Sequence, residues 1–279
     1  MCSMNEFILN HWRLIHSPPA HGGWNMALDE AILEAVGRGE SLPTLRFYAW
    51  APPCISLGVA QSIHDVDLKR LHTKRWDLVR RPTGGRAILH TDELTYAMIA
   101  PIANPHVSGG VLDSYRHLSA GLIAGLQHMG MSAEIESEKQ LSKEERGNPV
   151  CFQAPSAYEI TVKHRKLLGS AQVRRRYGIL QHGTLPLKGD ITRICEVLQF
   201  DSEEDRTSAA DALRKRAATV EGLLGEPYSW ESAAVAMSEG FRQALDLQLE
   251  LGDPSPGELT RAEDLQRERF TNTQWTERI

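Results

Sequence analysis

The spacing of apolar residues along the chain predicts helices and strands in neighbouring groups. In residues 25–36, NMALDEAILEAV, the apolar side chains recur mostly at helical spacing, and Gly37 follows as a natural stop. Further helices are predicted at 65–74, at 111–129 and, as the clearest part of a mostly helical region after residue 190, at 229–247. Apolar runs bounded by turn residues predict strands over 45–50, 55–59, 77–81, 87–90, 94–100, 157–162, 167–173 and 178–187.

The order of these elements indicates the fold class. Strands come in neighbouring runs rather than in strict alternation with helices, which favours an α/β (α+β) fold with a mixed sheet over a doubly wound parallel sheet. The 279 residues suit a single large domain, and no internal repeat or low-complexity linker divides them. We expect the domain to cover 12–250, with a helical C-terminal extension over 251–279 packed on it. The polar stretch 137–149 is predicted to be a mobile loop.

Composition excludes several classes of protein. Hydrophobic residues make up 41% of the chain and charged residues 24%, and no apolar run approaches the roughly 18 residues of a membrane span. The N-terminal residues lack the basic start, apolar core and cleavage site of a secretion signal, so we expect a cytoplasmic protein. The net charge of −5 argues against general nucleic-acid binding.

Basic residues are nevertheless clustered at 80–81, 163–166 and 174–176. One interpretation is solvated charge at turns and strand ends. The other is a basic rim that receives acidic partners.

The cysteines and histidines do not form a metal or disulfide pattern. Cys2, Cys54, Cys151 and Cys195 stand far apart without a CxxC pair, and the 11 histidines show no HExxH spacing. We therefore predict no metal site and no disulfide scaffold. Cys54 and Cys195 lie within apolar patterns and are predicted to be buried as small hydrophobes, while Cys2 is terminal.

Two adjacent glycines follow a pair of arginines in RRPTGGRAILH, residues 80–90. Gly84 and Gly85 permit positive φ and the close approach of a ligand to the backbone. Free backbone N–H groups beside the cations of Arg80 and Arg81 suit a carboxylate, phosphate or carbonyl group. A tight turn between strands is the alternative, and the spacing does not match a GxxxxGK[ST] phosphate loop.

The strongest candidate chemistry begins at Cys151. This cysteine follows a polar loop and precedes Phe-Gln-Ala-Pro-Ser, a poor context for burial, and a thiol with a lowered pKa is a nucleophile. Lys166 is the best local cation to lower that pKa, with Arg165 as a competitor; an inert buried thiol is the alternative. If 157–162 is a strand, about 20 Å of extended chain lies between cysteine and lysine, so the loop before Pro155 must fold back.

Small residues and a histidine follow Lys166. Gly169, Ser170 and Ala171, within LGSAQ, leave room for a slender ligand or a close backbone approach. His182, which precedes Gly183, has the chemistry to orient a carbonyl or move a proton. A histidine satisfied within a strand is the alternative.

Four segments, in this order, resemble the lipoate and octanoate branch of the biotin–lipoate protein ligase fold. They are NMALDEA at 25–31, RFYAW at 46–50, RRPTGGRAILH at 80–90 and the run at 151–183. Within this branch they most resemble the octanoyl-acyl-carrier-protein:protein octanoyltransferases of the LipM type. The resemblance implies a biotin/lipoate protein ligase-like mixed β-sheet packed with helices, with the domain at 12–250 as the catalytic domain.

The resemblance also implies roles for particular residues. The cysteine of the CFxAPS segment, here Cys151, is the family's acyl-thioester nucleophile, and the lysine of the GRK-x-x-GSAQ segment, here Lys166, lowers its pKa. His164 stands where the family usually has the glycine before this Arg-Lys pair. The substrate-binding residues that follow from the motifs and the resemblance are Arg80, Arg81, Thr83, Gly84, Gly85, His90, Gly169, Ser170, Ala171, His182 and Gly183.

The expected activity transfers an octanoyl group from octanoyl-acyl-carrier protein to a lysine of a lipoyl domain or of glycine-cleavage H protein. A thioester on Cys151 is the expected intermediate, and the pathway is lipoyl cofactor biosynthesis. We expect no cofactor, no nucleic-acid or membrane partner, and a monomer. Alternatives are an ATP-dependent lipoate or octanoate ligase that forms an acyl-adenylate, an octanoyl amidotransferase, and a non-catalytic carrier-binding protein on the same fold.

Overall fold

The computed structural model describes residues 10–137 and 158–279. Its strands are β1 His11–His16, β2 Thr44–Tyr48, β3 Cys54–Leu57, β4 Asp77–Arg80, β5 Ile88–His90, β6 Glu93–Pro101, β7 Glu134–Ser137, β8 Tyr158–Val162, β9 Arg165–Arg174, β10 Gly178–Pro186 and β11 Gln248–Leu251. Its α-helices are α1 Gly22–Gly37, α2 Leu68–Thr73, α3 Val111–His128, α4 Glu203–Arg216, α5 Val220–Leu224, α6 Trp230–Leu245, α7 Pro256–Leu265 and α8 Thr273–Thr276.

These strands form a large mixed sheet and a smaller one. The large sheet has the order β11-β1-β2-β6-β10-β9-β8-β7, and the smaller sheet has the order β4-β3-β5. β1 pairs in parallel with β11 and β2, whereas the other neighbours in the large sheet are antiparallel. In the smaller sheet β3 is parallel to β4 and antiparallel to β5. The predicted mixed sheet packed with helices is confirmed.

The register of the large sheet directs one set of side chains toward α1. His182 of β10 pairs with Ala97 of β6 and with Ala171 of β9, so these side chains share a face. Ala97 packs in one cluster with Tyr48 of β2 and Met26 of α1. The opposite face of the sheet packs against α3 and α6. Helices on both faces therefore cover the sheet and leave its α1 side next to the smaller sheet.

Most predicted elements are found, with some differences. The helix predicted over 65–74 is a 3₁₀ turn at Ile63–Asp65 followed by α2, because the Asp67 side chain accepts a hydrogen bond from the Arg70 N–H and caps the helix there. The short strands β1, β7 and β11 were not predicted; β11 is largely exposed and has little apolar pattern. Apart from residue 137, which ends β7, the predicted loop over 137–149 lies outside the described residues.

A two-residue turn joins β8 to β9. Lys163 and His164 both have positive φ, 52° and 60°, as tight hairpin turns require. His164 thus has a left-handed conformation that favours glycine, at the position where the resembling family usually has glycine. Lys166 lies beyond this turn, within β9.

The C-terminal residues pack on α1 and reach the arginine–glycine segment. Leu265 of α7 and Phe270 belong to the cluster that includes α1. The Trp275 indole N–H donates to the carbonyl of Arg80 at 2.8 Å, and the Arg80 guanidinium donates to the carbonyl of Thr276. The division of the chain at residue 250 stays a prediction. Among the helices of the described chain, none has both the length and the apolar character needed to cross a membrane.

Candidate functional site

A cavity lies where the α1 side of the large sheet meets the smaller sheet and the arginine–glycine turn. We call it the main cavity, and the residues that line it are Met26, Tyr48, Trp50, Ser56, Arg81, Gly85, Ile88, His90, Thr95, Lys166, Gly169, Ser170, Ala171, His182, Gly183 and Thr184.

The structure brings most of the predicted site residues to this cavity. Those that line it are Arg81, Gly85, His90, Lys166, Gly169, Ser170, Ala171, His182 and Gly183. Arg80, Thr83 and Gly84 are not among its lining residues. Cys151 lies outside the described residues, so the predicted meeting of Cys151 and Lys166 stays a prediction.

Lys166 brings a buried ammonium group to the wall of the main cavity. Its side chain is 1% exposed, and its Nζ donates to Glu159 Oε1 at 2.8 Å. Glu159 lies on β8, the neighbouring strand, and Arg216 approaches its other oxygen at 4.0 Å. A buried charge is stable only when it is paired, so Glu159 holds the amine in place. The sequence contains a signal for this pair, because a tight hairpin brings residues seven apart onto facing strands.

The two adjacent arginines have different surroundings. Arg80 is 0% exposed, and its guanidinium donates to the carbonyls of Gly58, Gln61 and Thr276. It therefore joins the C-terminal residues to the loop after β3 and does not reach the main cavity. The expectation that this arginine pair belongs to a solvated surface or a basic rim is wrong, because Arg81 is also buried, at 3% exposure.

Arg81 shapes the glycine turn from within. Its guanidinium donates to the carbonyls of Gly84, Arg86 and Ser56 at 2.7–3.2 Å and to the Ser56 hydroxyl at 3.1 Å. Gly85 has a φ of +95°, and a Cβ there would lie 2.8 Å from the Arg81 Nη2 atom. The turn therefore needs glycine at this position both for conformation and for space.

His90 is fixed on both sides of its ring. Its Nδ1 lies 2.7 Å from Glu93 Oε1, and its Nε2 lies 2.7 Å from the Ser56 hydroxyl. The ring also stacks on Trp50, with centroids 4.0 Å apart. The Trp50 indole N–H donates to Thr95, which in turn donates to Glu93. The histidine, held by its carboxylate partner, thus forms a fixed part of the main cavity wall.

His182 connects the arginine–glycine turn to α1. Its Nε2 lies 2.7 Å from the Thr83 hydroxyl, and its Nδ1 lies 3.6 Å from Asp29 Oδ2. Burial lowers the pKa of His182, despite the opposing effect of Asp29. Burial disfavours the charge of Asp29, yet Arg46 at 2.6 Å and His182 together hold the pKa of Asp29 below its ordinary value. A neutral imidazole beside an ionised carboxylate is the resulting state.

The sequence prediction missed several residues of this region. Asp29 and Met26 lie within NMALDEA and Trp50 within RFYAW, so two of the segments that carried the resemblance contained them. Thr184 follows the predicted Gly183 and also lines the cavity. The alternation of side chains along β10 was the available signal, since Thr184 lies on the same face as His182.

Two other cysteines match their predictions. Cys54 and Cys195 are buried, at 0% and 2% exposure. Burial raises the pKa of the Cys54 thiol far above its ordinary value and that of Cys195 to about 11. Both thiols are therefore protonated near neutral pH and poor nucleophiles. Within residues 10–137 and 158–279, no cluster of His, Cys, Asp or Glu side chains is suited to hold a metal ion.

Solved structures with the same fold include lipoate ligases. The bipartite lipoate protein ligase of Thermoplasma acidophilum aligns with a TM-score of 0.80 at 21% identity, covering 96% of each chain. A lipoate-protein ligase A bound with ATP aligns with a TM-score of 0.79 at 21% identity, covering 96% of this chain and 98% of that one. At this identity the likeness establishes the lipoate-ligase fold.

Sequence relatives are more specific. An octanoyltransferase LipM of Kyrpidia tusciae is 38% identical over 96% of this chain and 98% of its own length. The octanoyltransferase LipM of Staphylococcus aureus is 33% identical over 95% and 97%. The family model of the lipoyl protein ligase A/B catalytic domain matches residues 21–242, a range that includes every residue lining the main cavity. The chain therefore belongs to the lipoyl protein ligase A/B catalytic-domain family, in its LipM octanoyltransferase branch, and is an acyltransferase.

Proposed function

We propose that this protein transfers an octanoyl group from octanoyl-acyl-carrier protein to a lysine of a lipoyl domain or of glycine-cleavage H protein, through a thioester on Cys151. The product is the octanoylated precursor of the lipoyl cofactor. The observation that carries the proposal is the buried Lys166 ammonium group, which opens onto a largely apolar cavity. The octanoyltransferase name of the relatives supports the identity of the acyl group. A monomer in the cytoplasm remains our expectation.

The proposed reaction has two steps. The Cys151 thiolate attacks the thioester carbonyl, a new carbon–sulfur bond forms, and the carrier leaves as a thiolate that takes up a proton. The neutral amine of the acceptor lysine then attacks the acyl-cysteine, loses its proton, and expels Cys151 as a thiol. This sequence splits one acyl transfer into two substitutions and requires no ATP.

The described residues have clear parts in this chemistry. Lys166 favours the thiolate form of Cys151 by placing a positive charge beside it. Glu159 holds the lysine through the 2.8 Å ion pair. Met26, Tyr48, Trp50 and the small residues Gly169 and Ala171 provide a slot for an unbranched chain.

The test is to incubate the protein with octanoyl-acyl-carrier protein in the absence of ATP and to measure its intact mass. We expect an octanoyl adduct on the wild type and none on Cys151→Ser. Cys54→Ser and Cys195→Ser are matched controls that keep the adduct, because those thiols are buried and protonated. Activity that survives Cys151→Ser and requires ATP and Mg²⁺ would show a ligase. Binding of the carrier without any transfer would show a carrier-binding protein.

A further inference from the structure

A second cavity adjoins the main cavity along the same face of the large sheet. Ile88 and Thr184 line both cavities. The second cavity then continues past Pro186 to the turn that contains Lys188. Because Thr184 and Pro186 alternate with Leu185 along β10, their side chains lie on one face, and the two cavities follow each other along that strand.

Lys166 lies beside the junction of the two cavities. Lys166 precedes Gly169 by three residues in β9, and Gly169 pairs with Thr184. The carbonyl of Lys166 accepts a hydrogen bond from the N–H of Ala218 at 2.9 Å, and the next residue, Thr219, lines the second cavity. Among the described residues, the second cavity is therefore the space next to Lys166 into which the leaving group of an acyl thioester in the main cavity can extend.

A buried hydroxyl lies at this junction. Thr184 is 1% exposed, and its Oγ1 has no hydrogen-bond partner among the residues that the structure describes. An unpaired buried hydroxyl is costly, and native proteins usually satisfy such a group with a ligand, water or protein partner. Its position suits a carbonyl or amide of a ligand that passes from one cavity to the other.

The outer end of the second cavity carries a cation. Lys188 is exposed at the cavity rim. The nearby acids have cationic neighbours of their own: Asp92 accepts from Arg193 at 2.7 Å, and Asp190 lies 3.8 Å from Arg214. The acid Glu93 is hydrogen-bonded to His90 and Thr95. Lys188 is thus the lining cation for which the described residues show no ion pair.

The lining of these cavities changes in a defined order: an apolar slot, a lone hydroxyl, a groove in which apolar side chains alternate with polar ones, and a lysine. A 4′-phosphopantetheine thioester has the same order of groups, namely an acyl chain, a thioester, two amides and a phosphate. Four extended residues from Thr184 to Lys188 span at most about 13 Å. An arm of about thirteen bonds, each of about 1.3–1.5 Å, exceeds this span when extended.

We propose that the second cavity binds the 4′-phosphopantetheine arm of the acyl donor, with Lys188 pairing with its phosphate and Thr184 hydrogen-bonding near its thioester. This inference deepens the proposed function and rests on it. Gly189 supports the placement of Lys188, because its φ of +81° turns the chain beside Arg193, where a Cβ would lie 2.6 Å from Nη2.

The test compares three octanoyl thioesters as donors without ATP: octanoyl-phosphopantetheine, octanoyl-pantetheine and octanoyl-N-acetylcysteamine. Lys188→Ala should raise the KM for the phosphorylated donor about 3- to 10-fold, as for one partly exposed ion pair, and leave kcat unchanged. The two donors without phosphate should show no change. Lys215→Ala, which removes another exposed lysine, should leave all three unchanged.

Equal changes for phosphorylated and unphosphorylated donors, or no change for any donor, would overturn the role of Lys188. In a parallel assay with free octanoate and ATP, transfer with a KM for ATP that Lys188→Ala raises would instead assign the second cavity to a nucleotide. If the wild type transfers octanoyl neither from the carrier nor from any of the three small donors, the proposed function itself is wrong. If the wild type is active and Lys188→Ala has an unchanged KM for every donor, only the role of Lys188 is wrong.

Thr184 gives a second, independent readout. Thr184→Val should lower kcat/KM for all three donors about 10-fold, because each contains the thioester and the first amide. Thr184→Ser should restore most of this loss, because it keeps the hydroxyl. Unchanged kcat/KM in Thr184→Val with a normal unfolding transition would contradict the assignment at the junction.

Discussion

Two buried ion pairs near the main cavity have the same charges but different surroundings. Arg46 and Asp29 are both 0% exposed, lie 2.6 Å apart, and do not line the cavity. Lys166 and Glu159 lie 2.8 Å apart with side chains 1% and 8% exposed, and Lys166 does line it. Burial and pairing alone therefore do not distinguish a functional cation from a structural one; access to the cavity does.

The partners of the two cations explain this difference. Arg46 donates to Ser17, Asn25 and Asp29 and lies over the Tyr48 ring at 4.0 Å, so its planar guanidinium joins β2 to α1. A guanidinium with several fixed donors suits such a joint, whereas an ammonium is a compact charge on a flexible stem. The same comparison predicts which variant loses activity and which loses stability.

The largest expected effect is on catalysis. Lys166→Met should lower kcat/KM for octanoyl transfer by about 10²–10⁴-fold, the usual range for loss of a group that assists proton transfer or thiol activation. It should lower the free energy of unfolding by only about 1–2 kcal/mol, because Arg216 still approaches Glu159. Steady-state kinetics and urea unfolding measure the two quantities. If Lys166→Met has a much lower free energy of unfolding but the specific activity of the wild type, the assignment would be reversed.

The converse variant, Arg46→Met, should act on stability. It leaves the Asp29 carboxylate buried without its guanidinium partner, which costs about 3–5 kcal/mol in comparable cases. Specific activity of the folded fraction, measured at low temperature, should stay within about threefold of wild type. The comparison between the two pairs fails if Arg46→Met is as stable as wild type and inactive.

The smallest expected effect is on the pH dependence of stability. The folded pKa of His182 is lowered by burial, so its contribution is complete above about pH 6.5 and is lost as the pH falls below that value. Each pH unit in this window costs up to about 1.4 kcal/mol. His106, whose pKa burial lowers to about 4, contributes in the same window. Asp29, with a lowered pKa, loses its contribution only in more acidic solution.

Urea unfolding of the wild type and of His182→Gln at pH 7.5, 6.5 and 5.5 measures this dependence. The free energy of unfolding of His182→Gln should fall less between pH 7.5 and 5.5 than that of the wild type, because His182 no longer contributes while His106 and the other groups still do. Identical slopes would mean that His182 takes up its proton without cost in the folded protein.

Neighbouring residues show how far sequence patterns reach. Arg80 and Arg81 form one motif, and the sequence assigns both to a ligand. In the structure one contacts the C-terminal residues and the other shapes the glycine turn. Successive side chains of an extended chain point in opposite directions, so a shared motif does not imply a shared site. The partner of Arg80, Thr276, is 196 residues away along the chain, and no local pattern indicates such a contact.

The sequence by itself determined the mixed α/β fold, the two strands on either side of residues 163–166, the burial of Cys54 and Cys195, and the family. These follow from local periodicity, turn chemistry and segments of several residues in a fixed order. Only the tertiary structure decided that Glu159 holds Lys166, that Asp29 faces His182, and that Thr184 lies where two cavities meet. Such contacts depend on strand register and helix packing, which decide which candidate partners meet and which also join residues distant in the chain, such as Asp29 and His182.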